Sequence, residues 1–456
     1  MRIQFFLASV LASFLFACSP AKQISRSAGK NVLNDPALQN AHVGISVYDV
    51  ESGKYLYNYQ GDKYFVPASN TKIPTCYAAM KYLGDSLVGL RYGFPEEGGY
   101  KEHILAIQAT GDPSFLHPDY KRQPVFNFLQ ENVVRKKFNP AFYVDTLKLE
   151  DRWGSGWSWN DYDASYMAER NSFPVFGNVL EIRLNDSSKW FDKEVWPEAY
   201  RPDFFKTPSH FFDSILNSSL SLLKKDRMHA EASRRVAFRR DIASNKFKPV
   251  PSGQLFTKQS IPFVTDGALT TLNVLMDTFH VQFGNVSPTH EKNKYAYECP
   301  ECDISFFHIS QWHTVHSQPT DSLLKPMMHR SDNFFAEQSL LMVSNEVLGV
   351  MNDTKIIDTL LKTDFKDLPQ KPRWADGSGL SRYNLFTPQD FVFILNKMRT
   401  EFGMERIKEI LPTGNEGTLT NYYKAENGSL FAKTGTLSGV VALSGFLYTK
   451  QNKLLI

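Results

Sequence analysis

The sequence predicts an α+β protein, because segments with strand periodicity and segments with helix character both occur in it. Residues 43–48 and 54–59 alternate in polarity around a Glu-Ser-Gly turn, which predicts a β-hairpin. Residues 73–83, which a glycine closes, and residues 334–348 are predicted to be helices. Residues 429–447 contain two further predicted strands, which meet at a Ser-Gly turn.

Composition and charge exclude several classes of protein. The chain has 456 residues, with 51 Lys and Arg against 48 Asp and Glu, so its formal net charge is +3. This balance argues against a polybasic nucleic-acid binder. Hydrophobic residues make up 42% of the chain and charged residues 22%, which is enough to bury a core, and the length suggests about two or three domains. One basic segment, residues 227–240, is predicted to be a solvated helix face.

The N-terminus has the pattern of an export signal. Arg2 precedes an apolar run at residues 5–16, which is too short for a membrane-spanning helix. Residues 1–17 are therefore predicted to be a signal peptide. The Leu-Phe-Ala-Cys sequence that ends at Cys18 resembles a bacterial lipobox, which implies lipidation of Cys18. The alternative is an ordinary signal peptide without a lipid. Residues 18–30 are predicted to be a flexible tether.

Three other cysteines, Cys76, Cys299 and Cys302, are too few for a disulfide scaffold in a chain of this size. Cys299 and Cys302 can form a local disulfide, remain free thiols, or bind zinc together with His313 and His316. A strand through the two histidines would direct them to opposite faces. The sequence therefore favours a disulfide or two free thiols, and we predict no metal and no organic cofactor.

A serine and a lysine three residues apart predict a nucleophile and its base. Ser69-Asn70-Thr71-Lys72 precedes the first predicted helix, and positions i and i+3 share one face of a helix. A hydroxyl needs a base to remove its proton, and a buried lysine with a lowered pKa can be that base. The Ser-x-x-Lys pattern recurs elsewhere in the chain, so by itself it carries little weight.

Two further motifs follow in a characteristic order. Ser331-Asp332-Asn333 opens the second predicted helix, and Lys433-Thr434-Gly435 lies in the first of the two later strands. Ser-x-x-Lys, Ser-x-Asn and Lys-Thr-Gly in this order resemble the signature of serine penicillin-recognising enzymes. The resemblance implies that Ser331 and Asn333 relay protons and hold the substrate amide.

The same resemblance implies roles for the third motif. Lys433 would place a cation near the terminal carboxylate of the substrate and help to keep Lys72 deprotonated. Thr434 would bind the same carboxylate, and Gly435 would let the substrate lie along the strand edge. The backbone N–H groups of Ser69 and Thr436 would form the oxyanion hole.

The spacing of the motifs narrows the resemblance. Ser331 lies 331 − 72 = 259 positions after Lys72, a separation that exceeds the gap in small β-lactamases. This pattern is similar to class C low-molecular-mass penicillin-binding proteins, the D-alanyl-D-alanine carboxypeptidase/endopeptidase family of the penicillin-binding protein 4 type. The implied fold is serine β-lactamase/transpeptidase-like, with an antiparallel sheet flanked by helices and a helical lobe. The implied catalytic domain comprises residues 31–95 and 301–456, with an inserted region at residues 96–300.

Four further segments carry the resemblance. They are Pro67 to Lys72, Gly111-Asp112-Pro113-Ser114, Gly156 to Tyr162, and Asp376 to Arg382 with Asn384. The last of these can also be interpreted as a glycine-rich surface turn. The resemblance gives this segment a supporting role at the site, with no chemistry assigned to Asp376 and Ser378.

Glu181 resembles the deacylating glutamate of class A β-lactamases, because it begins a Glu-x-x-Leu-Asn string. However, residues 179–185 alternate like a strand, and Glu181 lies 331 − 181 = 150 residues before Ser331, on the wrong side of the second motif. The match is therefore interpreted as a coincidence. We expect slow acylation by penicillin rather than efficient penicillin hydrolysis.

The chain ends 456 − 435 = 21 residues after Gly435, where the family adds the rest of a strand and a C-terminal helix. The sequence is therefore interpreted as truncated, and the alternative is a sheet whose edge is left uncovered.

The resemblance implies a serine D-Ala-D-Ala carboxypeptidase and/or endopeptidase that acts on peptidoglycan stem peptides through an acyl-enzyme and that β-lactams inhibit. The alternatives are a non-catalytic peptidoglycan-binding protein of the same fold, or a β-lactamase or esterase. With the lipid anchor, the expected location is the periplasmic face of the bacterial envelope. The carboxypeptidase–endopeptidase balance and the oligomeric state stay open.

Overall fold

A computed structural model describes residues 20–94, 104–136, 141–144, 149, 151–183, 236–255, 257–286 and 309–456. The chain divides into two compact units. The first unit comprises residues 1–70, 367–374 and 385–456, and the second comprises residues 71–366 and 375–384.

The described residues contain nine α-helices and fourteen strands, named here in chain order. The helices are α1 Pro20–Ala28, α2 Lys72–Tyr82, α3 Pro124–Leu129, α4 Leu269–Phe279, α5 Thr320–His329, α6 Asn333–Leu348, α7 Asp353–Lys362, α8 Pro388–Phe402 and α9 Met404–Ile410. The strands are β1 Ile45–Asp49, β2 Lys54–Tyr59, β3 Ser86–Gly93, β4 Leu105–Ala109, β5 Ala141–Val144, β6 Val179–Arg183, β7 Val236–Arg240, β8 Phe247–Pro251, β9 Lys258–Pro262, β10 Phe283–Val286, β11 His313–Pro319, β12 Leu430–Leu437, β13 Val440–Tyr448 and β14 Leu454–Leu455.

The first unit is built on an antiparallel sheet with the strand order β12-β13-β14-β1-β2. β1 and β2 form the predicted hairpin, and β12 and β13 are the predicted pair of later strands. Helix α8 packs on β1 and β13. Its N-terminus is fixed by a capping box, in which the Thr387 hydroxyl accepts the Asp390 N–H and the Asp390 carboxylate accepts the Thr387 N–H.

The second unit contains a mixed sheet with the strand order β10-β5-β4-β3-β11. β3 and β11 come from the two predicted parts of the catalytic domain, whereas β4, β5 and β10 come from the predicted inserted region. β4 pairs with β3 over Leu90–Gly93, and β5 pairs with β4 and β10 in parallel. Strands β4, β5 and β10 of the predicted inserted region therefore continue the sheet that contains β3 and β11.

Helices α2, α5, α6 and α7 pack together in the second unit. α6 is buried along residues 334–345, so it lies in the core of this unit although it carries polar side chains such as Glu337 and Gln338. Asp332 caps this helix, because its carboxylate accepts the backbone N–H of Phe335 at 3.0 Å. The helices predicted at residues 73–83 and 334–348 are thus α2 and α6, and Pro74 lies in the first turn of α2.

Two local predictions differ from the structure. The predicted tether is helical over Pro20–Ala28 and packs on β2, because proline suits a first helical position and Ala, Lys and Gln favour helix. The prediction of a solvated helix at 227–240 was wrong for its end, since Val236–Arg240 is a strand. Arg240 is only 1% exposed and pairs with the buried Glu169. Residues 227–235 lie outside the described residues, as does the whole signal peptide.

The described residues include no helix that combines the length and the apolar character needed to cross a membrane.

Candidate active site

Ser69 lies in a 3₁₀ turn, Ala68–Thr71, that runs directly into α2 at Lys72. The side chain of Ser69 is half-buried. Ala68 has a φ of 49°, a left-handed conformation that costs free energy for a residue with a Cβ. The neighbouring Asn70 is buried and donates its side-chain amide to the Ser444 hydroxyl on β13 at 2.8 Å, which ties the turn to the sheet.

Gly435 lies against this turn. A Cβ built on Gly435 would be 2.5 Å from the Pro67 carbonyl oxygen and 3.1 Å from the Ser69 nitrogen. Real Cβ atoms essentially never approach backbone oxygen at the first of these distances. The glycine is therefore required by the packing of β12 on the Ser69 turn, a reason that sequence reasoning did not identify.

Lys433 and Thr434 lie on β12, an edge strand of the first sheet. Lys433 is fully buried, and its Nζ donates to the Thr434 carbonyl oxygen at 2.7 Å. The Thr434 hydroxyl lies 2.7 Å from the Thr418 hydroxyl, and Thr436 is exposed. The structure thus places Lys433, Thr434, Gly435 and Thr436 on one strand beside the Ser69 turn.

The Lys72 side chain is fully buried in the second unit. Its Nζ donates to Asn333 Oδ1 at 2.6 Å and to the Ser378 carbonyl oxygen at 2.7 Å. Burial lowers the pKa of Lys72 to about 8, because the charged ammonium loses its hydration, while the negative charges of Asp376, Glu337 and Asp332 oppose the shift. A lysine with this pKa is partly neutral near pH 8 and can accept a proton.

The second motif is held at the start of α6. Ser331 has a φ of 59°, so this predicted site residue, like Ala68, has a left-handed backbone conformation. Asn333 is the first residue of α6, and its side chain uses both ends: Oδ1 accepts from Lys72 and Nδ2 donates to the Tyr166 carbonyl oxygen at 2.9 Å. This second contact fixes which end of the amide faces Lys72.

The Asp376–Asn384 loop forms the other side of the Lys72 environment. The buried Asp376 carboxylate accepts hydrogen bonds from four groups, which are the Gly379 N–H, the Ser381 N–H, the Asn384 amide and the Trp157 indole. Burial raises the pKa of Asp376, and these donors oppose the shift. The loop is therefore a folded support, and Ser378 contributes to the site through its backbone carbonyl oxygen rather than its hydroxyl.

A cavity of about 400 Å³ in the second unit borders the second motif. Ser331, Asp332 and Asn333 line it together with residues of the predicted inserted region, among them Tyr166 and Glu181. Glu181 lies in β6, opposite Ser260 of β9, so the predicted strand is confirmed. The inserted region thus contributes walls to a space that the Ser-x-Asn motif also lines.

The remaining candidate residues lie apart from this site. Cys76 is a buried cysteine of α2 outside any disulfide, and Cys18, Cys299 and Cys302 lie outside the described residues. His313 stacks on Tyr92, whereas His316 contacts Ser86 at the other end of β3. No cluster of three His, Cys, Asp or Glu side chains that could hold a metal ion occurs in the part of the chain that the structure describes.

Sequence reasoning missed Glu337, which is 1% exposed and lies one turn after Asn333 on α6. Its Oε1 accepts the Ser378 N–H at 2.7 Å, and its Oε2 lies 3.6 Å from the buried Arg170 guanidinium. The signal available in the sequence was a charged residue that directly follows Phe334-Phe335-Ala336, four positions after the motif asparagine.

Comparison with known proteins decides the family. The model of the D-Ala-D-Ala carboxypeptidase 3 (S13) family matches residues 27–195 and 310–456, more than half of the chain. This chain belongs to the S13 family. Membership confirms the predicted family resemblance and the predicted enzyme class, a serine-type D-Ala-D-Ala carboxypeptidase.

Relatives of the S13 chain extend over most of its length. D-alanyl-D-alanine carboxypeptidase DacB of Haemophilus influenzae is 23% identical, over 97% of this chain and 89% of the relative. D-alanyl-D-alanine carboxypeptidase of Actinomadura sp. strain R39 is 25% identical, over 93% of this chain and 78% of the relative. The crystal structure of H. influenzae penicillin-binding protein 4 superposes with a TM-score of 0.63 at 18% identity, over 90% of this chain and 88% of that one. The predicted fold class is therefore confirmed.

Proposed function

We propose that this S13 enzyme uses Ser69 to attack the carbonyl carbon of the D-Ala–D-Ala peptide bond in peptidoglycan stem peptides. Lys72 accepts the Ser69 proton as the new C–O bond forms. The tetrahedral intermediate then expels the terminal D-Ala, whose nitrogen takes up a proton, and leaves an ester on Ser69. Water hydrolyses the ester and returns Ser69 to its starting state.

The observation that carries this proposal is the environment of Lys72. A neutral amine has two N–H bonds and one lone pair. The Asn333 and Ser378 oxygens can accept both N–H bonds, at 2.6 and 2.7 Å, which leaves the lone pair to receive a proton. The pKa of about 8 keeps a useful neutral fraction near physiological pH. Because Lys72 is buried and has two oxygen acceptors, it is better suited to act as a base than a lysine on the surface is.

The β12 residues are proposed to bind the substrate. An outermost strand can accept an extended peptide as an additional strand, which suits the stem peptide backbone. We assign Lys433 and Thr434 to the terminal carboxylate, as the motif predicts. We assign the backbone N–H groups of Ser69 and Thr436 to the oxyanion, where one such donor contributes about 3–4 kcal/mol to transition-state stabilisation.

An endopeptidase activity uses the same chemistry. In a cross-link, the D-Ala carbonyl is joined to an amino group of a neighbouring stem peptide, so attack by Ser69 releases that amine instead of D-Ala. The 400 Å³ cavity beside Ser331 and Asn333 supports this extension, because it offers room for groups beyond a single D-Ala. We include cross-link cleavage as a second activity of the same site.

β-Lactams are proposed to acylate the same serine. A crystal structure of H. influenzae penicillin-binding protein 4, with a TM-score of 0.58 to this chain at 17% identity, contains a bound β-lactam. Efficient β-lactam hydrolysis is not proposed, because Glu181 lies in a paired strand rather than in a deacylating loop.

We also propose that Cys18 carries a lipid that anchors the enzyme in the cell envelope.

The experiment that tests the function is covalent labelling with a fluorescent penicillin, followed by mass spectrometry of stem peptides. Wild-type protein should carry one label on Ser69, and Ser69→Ala should carry none. Incubation with a pentapeptide should release one D-Ala. A label that persists in Ser69→Ala would contradict the proposal. So would a pentapeptide that stays intact with a wild-type preparation that takes up the penicillin label, because the labelling shows that this preparation is folded.

A further inference from the structure

Glu337 is a buried carboxylate one helical turn after Asn333, so both side chains project from the same face of α6. Its Oε1 accepts the backbone N–H of Ser378 at 2.7 Å. Its Oε2 has no hydrogen-bond donor among the described residues, although the Arg170 guanidinium lies 3.6 Å away. A buried carboxylate with an unsatisfied oxygen is costly, which indicates a role beyond packing.

The contacts of Ser378 connect Glu337 to Lys72. The Ser378 N–H donates to Glu337, and the Ser378 carbonyl oxygen accepts from Lys72 Nζ at 2.7 Å. The preceding carbonyl, that of Gly377, accepts the Thr75 hydroxyl of α2 at 2.7 Å. Glu337 therefore fixes the segment of backbone that holds the Lys72 amine, while Asn333 holds the same amine directly.

Three carboxylates on two elements of the second unit lie around Lys72. Asp332 and Glu337 lie at the start of α6, and Asp376 lies in the loop, and all three raise the pKa of Lys72 against the effect of burial. Arg170 and Asp353 face Glu337, and Arg170 pairs with both carboxylates. Burial and the charge of Asp376 raise the pKa of Glu337 to about 7, and Arg170 opposes this shift.

We propose that Glu337 is a positioning residue for the reaction: it fixes the Ser378 backbone against Lys72, and its negative charge sets the pH at which Lys72 can accept the Ser69 proton. This inference rests on the proposed role of Lys72 as the base. In its ionised form the Glu337 carboxylate places a negative charge near the Lys72 amine, which holds Lys72 in the protonated form to a higher pH.

The test is Glu337→Gln, which keeps the size of the side chain and an oxygen that can accept the Ser378 N–H. Arg170 retains Asp353 and the Asp151 and Trp153 carbonyl oxygens as partners. The rate of acylation by fluorescent penicillin is measured from pH 5.5 to pH 10. The pH at which the rate rises should move downward, with a roughly two- to fourfold faster rate at pH 7.5, where most of the wild-type Glu337 is ionised and Lys72 is still mostly protonated.

Glu346→Gln is the matched control. Glu346 lies on the same helix but is partly exposed and pairs with Arg91 at 2.6 Å. Its substitution should leave the pH profile unchanged. Glu337→Asp, which keeps the charge but withdraws it from Ser378, should keep a midpoint closer to that of wild type and lower the plateau rate. A Glu337→Gln profile that superimposes on the wild-type profile overturns the inference.

A reciprocal measurement covers the case in which Glu337→Gln does not fold. Lys72→Met removes the ammonium, which should raise the pKa of Glu337. This pKa is measured by ¹³C NMR of labelled glutamate carboxyl groups. An unchanged pKa contradicts the proposed coupling. If wild-type protein is not acylated by penicillin at all, the proposed function fails. If the wild type is acylated but neither the pH midpoint of Glu337→Gln nor the pKa of Glu337 in Lys72→Met changes, only the proposed role of Glu337 fails.

Discussion

The Nζ of Lys72 lies 2.6 Å from the Oδ1 of Asn333, although the two residues are separated by 261 positions in the chain. The Nδ2 of the same asparagine donates a hydrogen bond to the Tyr166 carbonyl oxygen. The asparagine therefore presents an acceptor to Lys72 and cannot present a donor without losing that second contact. This arrangement stabilises either form of the lysine and orients the lone pair of the neutral form.

Replacement of Lys72 by alanine should abolish most of the acylation. A positioned general base typically contributes about 10²- to 10⁴-fold, so we expect a loss of that size in the rate of penicillin acylation. Stopped-flow fluorescence with a labelled penicillin measures it. Lys81→Ala on the same helix, which removes a partly exposed partner of Asp364, is the control and should retain the wild-type rate. Equal losses in the two variants would indicate damage to α2 rather than removal of a base.

The acylation rate of the wild-type enzyme should increase with pH around a midpoint near 8. The sign follows from chemistry: only the neutral amine accepts the Ser69 proton, and burial lowers the pKa of Lys72 to about 8. The measurement is the rate constant for acylation at constant ionic strength across the pH range. A rate that falls as pH rises from 6 to 8 would exclude Lys72 as the base.

Asn333→Asp should move the same midpoint upward. The new carboxylate would lie beside the Lys72 amine, and an adjacent negative charge stabilises the ammonium form and raises its pKa. The shift is opposite in sign to that expected for Glu337→Gln. Asn345→Asp, near the other end of α6, provides a control for the introduction of a carboxylate into this helix. A downward shift, or none, would argue that Asn333 does not contact Lys72 in solution.

Gly435→Ala should destabilise the first unit by about 1–3 kcal/mol, the usual cost of overpacking. The added methyl group would meet the Pro67 carbonyl oxygen at 2.5 Å, so β12 or the Ser69 turn must move, and penicillin acylation should fall with stability. Thermal denaturation measures the first effect. Gly29→Ala is a matched control, since nothing lies within 4 Å of the Cβ position there. If Gly435→Ala is as stable and as active as Gly29→Ala, the close approach is not a constraint.

Glu181→Gln should leave deacylation of the penicilloyl enzyme within about twofold of the wild-type rate. The residue lies in β6, paired with β9, although it lines the cavity next to Ser331. The release of fluorescent label over time gives the rate. A large slowing would show that Glu181 activates the hydrolytic water, contrary to our interpretation of its sequence match.

Elements whose pattern is local could be predicted from the sequence. The β1–β2 hairpin, α2, α6 and the β12–β13 pair were all predicted close to their observed bounds, because polarity alternation, caps and glycines act over a few neighbouring residues. The predicted tether instead contains a helix that its own residues favour, and the prediction for the basic segment was wrong where packing decided the outcome. Arg240 is buried in a strand because Glu169 supplies a charge partner that lies 71 positions away in the chain.

The sequence by itself determined the three motifs, their order and hence the enzyme class, because each motif is contiguous and its chemistry depends on residue type. Only the tertiary structure decided how the motif side chains are held. It showed that Ser378 contacts Lys72 through its carbonyl oxygen, that Gly435 is required by the packing of β12 on the turn at Pro67, and that Glu337 accepts the Ser378 N–H. These relationships join residues that are 41 to 368 positions apart, and contacts between distant segments leave no periodic trace in a single sequence.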